Sequence, residues 1–239
     1  MVDIGNYSSI YHLHIPRTAG IFIKNHLKDV FKDKQIFATH NKPIDDDFLA
    51  GCHYVGGHFA RYPIDKMNNP LVFTVLRDPV DRFISYYKYT RHLFPQYKDN
   101  ELLDKWLYDD YFSGVQSNSQ FKSITGTLDI DKYNKFLVDQ RTIEENWFIK
   151  DYSDDIKDAK SFIDSNAVFV FDDIDRLTTS ICDLLKIPPF KNLYKYNTSD
   201  KDDFGITKPQ YDRIIELNQL DMEIYEYAKR KEKEHRVDN

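Results

Sequence analysis

The stretch Pro70–Tyr89, "PLVFTVLRDPVDRFISYYKY", decides the fold. Leu71–Leu76 is an apolar run of the kind found in a central parallel strand buried on both faces. It stops at Arg77. Asp78 is a good N-cap and Pro79 a good first helical residue, so a helix starts there. Arg77 consequently stands at the carboxyl end of a central strand, beside a helix N-terminus. Upstream, Tyr11–Leu27, "YHLHIPRTAGIFIKNHL", follows the same plan of strand, tight loop and helix. Tyr11, Leu13 and Ile15 share one strand face and His12 and His14 the other, while Ile23, Leu27, Val30 and Phe31 recur at helical spacing.

Further strands are expected at Cys52–Val55 and in Ala167–Ile174, "AVFVFDDI". The former runs into "GGHF", where Gly56 and Gly57 allow a sharp turn or a close backbone approach. Residues 101–155 read as a helical insertion over the sheet, with helices in "ELLDKWLYDDYF" and "NKFLVDQRTIEENWFIKDY" separated by a polar loop, "SGVQSNSQFKSITGT". A helix bearing Leu177, Ile181, Leu184 and Leu185 follows the Ala167 strand. One last long helix begins near Pro209, with Ile214, Leu217, Ile224, Tyr225 and Ala228 as its apolar stripe. Alternating strands and helices make the class α/β with a mainly parallel sheet. With no internal repeat and no Pro/Gly/Ser linker, residues 1–239 read as a single domain.

The chain of 239 residues is 41% apolar and 30% charged, the balance of an ordinary soluble globular protein. A net charge of −6 argues against nucleic-acid binding through the whole surface but permits a local basic site. No apolar run suits a signal peptide or a membrane span, and Cys52 and Cys182 lie apart without metal-ligand spacing. The expectation is a cytoplasmic chain with free thiols. His12 and His14 share a strand face as two metal ligands would, but no third ligand is evident in the sequence and no metal is expected.

In an open parallel sheet, ligands bind outside the carboxyl ends of the strands. Three loops meet that criterion. Pro16–Gly20 carries Arg17 and places backbone N–H groups at a helix N-terminus, which suits an anion. Gly56–Phe59 carries His58. Arg77–Arg82 supplies two guanidiniums, with Ser85 three residues after Arg82 on the same helical face. Two anion-binding loops on neighbouring strands point to a ligand with two separated phosphates.

These loops carry a resemblance. "HIPRTAG" is similar to the 5′-phosphosulfate loop of sulfotransferases that use 3′-phosphoadenosine 5′-phosphosulfate (PAPS), a pattern written P-K-T-[AG]-[GS]-[ST]. "LRDPVDRFISYY" resembles their 3′-phosphate motif R-x-P-x-x-R-x-x-S at Arg77, Pro79, Arg82 and Ser85. The order of the two, and the intervening "GHF", resemble the carbohydrate-type branch. "NSQFKSITG", "VFVFDDIDRLTTSICDLL" and "NQLDMEIYEYA" are more weakly similar to later family segments. The pattern departs at Arg17, where the family has Lys, and at Ile21, where it has Ser or Thr.

The resemblance implies a P-loop-like three-layer fold, PAPS as co-substrate without a metal, and an acceptor hydroxyl, a glycan being favoured. It implies a 5′-phosphosulfate site made by Pro16, Arg17, Thr18, Ala19 and Gly20, with Arg17 neutralising the leaving group. It further implies a 3′-phosphate site at Arg77, Arg82 and Ser85, and His58 as the base, a residue type suited to deprotonation near neutral pH. Two other function classes compete. A nucleotide-dependent phosphotransferase would use "VFVFDDID" as a strand ending in magnesium-binding acids, although G-x-x-x-x-G-K-[ST] is absent and Asp172 and Asp173 also read as strand-end and helix-start signals. A noncatalytic relative would keep the nucleotide pocket and transfer nothing.

Overall fold

The computed structural model describes residues 5–38, 46–91, 99–109, 113–114, 116–126, 155–190 and 205–237. Five strands form one sheet in the order β2-β3-β1-β4-β5: β1 (Ser9–Leu13), β2 (Ile36–Phe37), β3 (Tyr54–Gly57), β4 (Pro70–Arg77) and β5 (Ala167–Phe171). Every pairing is parallel. The fold is α/β, as the alternation of strands and helices implies.

The periodicity of β1 sets the two layers around the sheet. Tyr11 and Leu13 join Val55 of β3 and Val72 and Leu76 of β4 in a core on one face. That face is covered by α2 (Asp46–Ala50), α5 (Ser119–Thr125), α6 (Asp155–Ser165) and α9 (Gln219–Val237). Ile10, Tyr54, Leu71, Phe73 and Val75 face the other way, under α1 (Gly20–Val30) and α7 (Ile174–Leu185). A third cluster joins α3 (Pro79–Thr90), α4 (Asp99–Tyr108) and α8 (Lys208–Leu217) around the buried Trp106, on which Phe83 and Tyr87 sit edge-on. No helix among the described residues is long and apolar enough to cross a membrane.

Several expectations are corrected. Strand β1 starts two residues earlier and ends at Leu13, and β3 begins at Tyr54 and takes in Gly56 and Gly57. Those glycines are strand residues; a Cβ on Gly56 would lie 2.2 Å from the Tyr54 hydroxyl. The last long helix is two, broken at the buried Asn218, whose side chain turns back to accept from the Asn118 N–H. The polar segment at 113–127 is not a loop throughout: Ser119–Thr125 is α5, with Gln120, Lys122 and Ser123 buried. The Gln120 N–H, the Lys122 ammonium and the Ser123 hydroxyl are hydrogen-bonded inside the molecule, so composition misreads it. The helix expected in "NKFLVDQRTIEENWFIKDY" falls outside the described residues.

The chain visits β2 and β3 on one side of β1, then β4 and β5 on the other. The order therefore switches between β1 and β4, where such sheets open a crevice at their carboxyl ends. Leu13 ends β1 opposite Thr74, whereas β4 runs on to Arg77. The loop after β1 folds across that projecting end.

Candidate active site

The loop after β1 has a shape dictated by two left-handed residues, Arg17 (φ 71°) and Ala19 (φ 64°). For side chains other than glycine this conformation is uncommon and costs about 1 to 3 kcal/mol, and such turns direct N–H groups into an anion-binding concavity. Ala19 is also the N-cap of α1. It offers no side-chain cap, and the first turn holds no acidic residue. The N-termini of α3, α7 and α8 are instead closed by Asp78, Asp173 and Thr207. At α1, among the described residues, no side chain closes the terminus, and its N–H groups and the positive end of the helix dipole suit an anion.

Arg17 and Arg77 meet at this mouth. The Arg77 Nη1 donates to the Arg17 carbonyl at 3.3 Å, and the Arg17 Nε donates to the Ser85 Oγ at 3.0 Å. The Arg17 guanidinium lies 4.8 Å from the centre of the Tyr89 ring, and that of Arg77 lies 5.4 Å from the Phe171 ring. Burial, then the neighbouring Arg77, lowers the Arg17 pKa; burial lowers that of Arg77, with Asp81 and Asp78 opposing. Two half-buried guanidiniums thus share a site in which neither forms an ion pair among the described residues, which suits anionic groups. Arg17 and Ser85, expected at opposite ends of the ligand, touch each other.

Arg82 is placed differently from expectation. It is 1% exposed; its Nη2 donates to the Gln116 carbonyl at 3.1 Å and its Nε is 4.0 Å from the Asp221 carboxylate. Burial raises the Asp221 pKa, opposed by Arg82 and by the N–H groups of Phe121 and Gln120. Arg82 therefore lies in the interior beside Asp221, whereas Arg17 and Arg77 are partly exposed. Thr18 is also turned inward. Its buried hydroxyl donates to the Ile15 carbonyl at 2.8 Å, leaving only its backbone for a ligand. Ile21, by contrast, exposes 46% of its surface on the first turn of α1.

His58 follows β3 directly and is partly exposed. Its ring centre is 4.5 Å from that of His14, tilted by 52°, and the His14 N–H donates to the Gly57 carbonyl at 3.2 Å. A Cβ on Gly20 would lie 1.8 Å from the His14 ring. Only glycine lets that ring cross the first turn of α1, so His14 connects the loop after β1 to His58. His12 stacks on Phe73 at 4.5 Å, and its Nδ1 is 3.4 Å from the Tyr54 hydroxyl.

Sequence reasoning missed Tyr89 and Gln120. Tyr89 follows Ser85 by four residues on α3, a spacing that places both on one helical face and could have revealed it. Gln120 had no such signal. Asp172 pairs with Arg176 at 2.6 Å and Asp173 accepts from the Arg176 N–H at 2.8 Å, so these two acids of "VFVFDDID" are engaged at the start of α7. No curated protein matches the chain. The model described as the sulfotransferase family matches residues 3–228, a span that includes the loop after β1, the His58 segment and the β4–α3 junction. The two-guanidinium mouth at the switch point of a parallel sheet and that match together show that the chain belongs to the sulfotransferase family.

Proposed function

We propose that the chain, as one domain, transfers the sulfuryl group of PAPS to a hydroxyl on a glycan. The observation that carries this reading is the convergence of Arg17, Arg77 and Ser85 at the mouth between β1 and β4, where neither guanidinium forms an ion pair among the described residues. The uncapped α1 terminus and the backbone N–H groups of Arg17–Gly20 suit the 5′-phosphosulfate; Arg77 and Ser85 suit the 3′-phosphate. In the reaction the acceptor oxygen forms a bond to sulfur as the sulfur–oxygen bond to the 5′-phosphate breaks. The leaving group is adenosine 3′,5′-bisphosphate. Arg17 neutralises charge growing on its 5′-phosphate, and His58 takes the hydroxyl proton. The resemblance of the "GHF" segment to the carbohydrate-type branch supports a glycan, and the free thiols of Cys52 and Cys182 support a cytoplasmic setting.

Incubation with [35S]PAPS and a panel of glycans, lipids and small hydroxyl compounds tests this. Label should move to at least one glycan without added magnesium. Label reaching only lipids or small molecules would refute the glycan, and a chain that binds the bisphosphate but labels nothing would be the noncatalytic relative.

A further inference from the structure

We propose that Gln120 is a positioning residue for nucleotide binding: its buried side-chain amide serves as the missing strand partner at the end of β4 and fixes the backbone from which Arg77 reaches its ligand. This rests on the reading of Arg77 as the 3′-phosphate ligand. Beyond Thr74, β4 has outrun β1, so among the described residues no strand pairs with its edge on that side. Gln120 fills the gap. Its Oε1 accepts the Arg77 N–H at 2.9 Å and its Nε2 donates to the Arg77 carbonyl at 2.9 Å, the two bonds a neighbouring strand would make. The side chain is fully buried.

Gln120 is itself held from the opposite end of the chain. Asp221, on α9, accepts the N–H groups of Gln120 at 3.2 Å and Phe121 at 2.7 Å and so caps α5. Asn118 returns the favour, its Oδ1 accepting the N–H groups of Leu220 at 3.0 Å and Asp221 at 3.2 Å. Two helix N-termini thus cap each other, and Arg82 lies against Asp221. The path runs from α9 through α5 to the Arg77 main chain. A removed amide would leave two main-chain groups of Arg77 without their partners and free the residue to shift, and charge-assisted bonds to a phosphate tolerate little displacement.

Isothermal titration of the wild type, Gln120→Leu, Gln120→Glu and Arg77→Ala with adenosine 3′,5′-bisphosphate and with adenosine 5′-phosphate tests the proposal. Gln120→Leu should weaken the bisphosphate by about tenfold or more and the monophosphate by less than about twofold, because only the former reaches Arg77. Gln120→Glu keeps an acceptor for the Arg77 N–H but sets an oxygen against the Arg77 carbonyl, so it should lose in the same selective sense. It supplies the reading if the leucine variant fails to fold. A purely structural glutamine would lower both affinities in proportion to the loss of folded protein, and that result overturns the proposal, as does wild-type affinity for both ligands in either variant. If Arg77→Ala weakens both nucleotides equally, the role of Arg77 fails first and the proposal falls with it. If Arg77→Ala is selective and the Gln120 variants are not, only the positioning role is lost.

Discussion

Three arginines near the β4–α3 junction differ in their surroundings. Arg82 faces Asp221 in the interior, whereas Arg17 and Arg77 face each other at the mouth. A sequence pattern that contains both Arg77 and Arg82 cannot separate them, because their side chains diverge only when the strand becomes a helix. His58 raises a similar question, since its ring packs on His14 and a packed imidazole is not thereby a base. If it is the base, His58→Ala should lower turnover by about 10²- to 10⁴-fold while bisphosphate affinity stays within about twofold. The wild-type rate should fall at acid pH as an imidazole protonates, and the variant should lack that limb. A folded variant that keeps both rate and profile would move the base elsewhere, with His14 the next to test.

At the scale of elements, legibility followed water. Strand β4, its Asp78 cap and the Asp173 cap of α7 were readable because apolar runs and capping residues act locally. Helix α5 was not, since its capping carboxylate comes from Asp221, about a hundred residues away. Strand β2, two residues long, is too short for any periodicity to register. The buried polar face of α5 has a measurable consequence at Lys122. Its Nζ donates to the Gly114 carbonyl at 2.7 Å, and burial, with Asp221 opposing, pushes its pKa down to about 8. Unfolded, lysine titrates near 10.4. Between those values the unfolded chain binds more protons than the folded one, so this site gains stability as pH rises through that window and bears its full cost below it. Unfolding of wild type against Lys122→Met should therefore show the wild type gaining up to about 3 kcal/mol from pH 8 to 10.5. Parallel pH curves would mean that Lys122 is hydrated in solution.

For the whole molecule, the five-stranded parallel sheet and its switch point between β1 and β4 bring the loop after β1 and the β4–α3 junction to one mouth. The central claim is that this mouth holds a nucleotide with a 3′- and a 5′-phosphate and needs no metal. Thermal unfolding with adenosine 3′,5′-bisphosphate, and separately with ATP and magnesium, tests it most directly. A hundredfold excess of the bisphosphate over its dissociation constant should stabilise the fold by about 2.7 kcal/mol, with or without a chelator. A melting temperature unmoved by the bisphosphate and raised by ATP with magnesium would contradict the account.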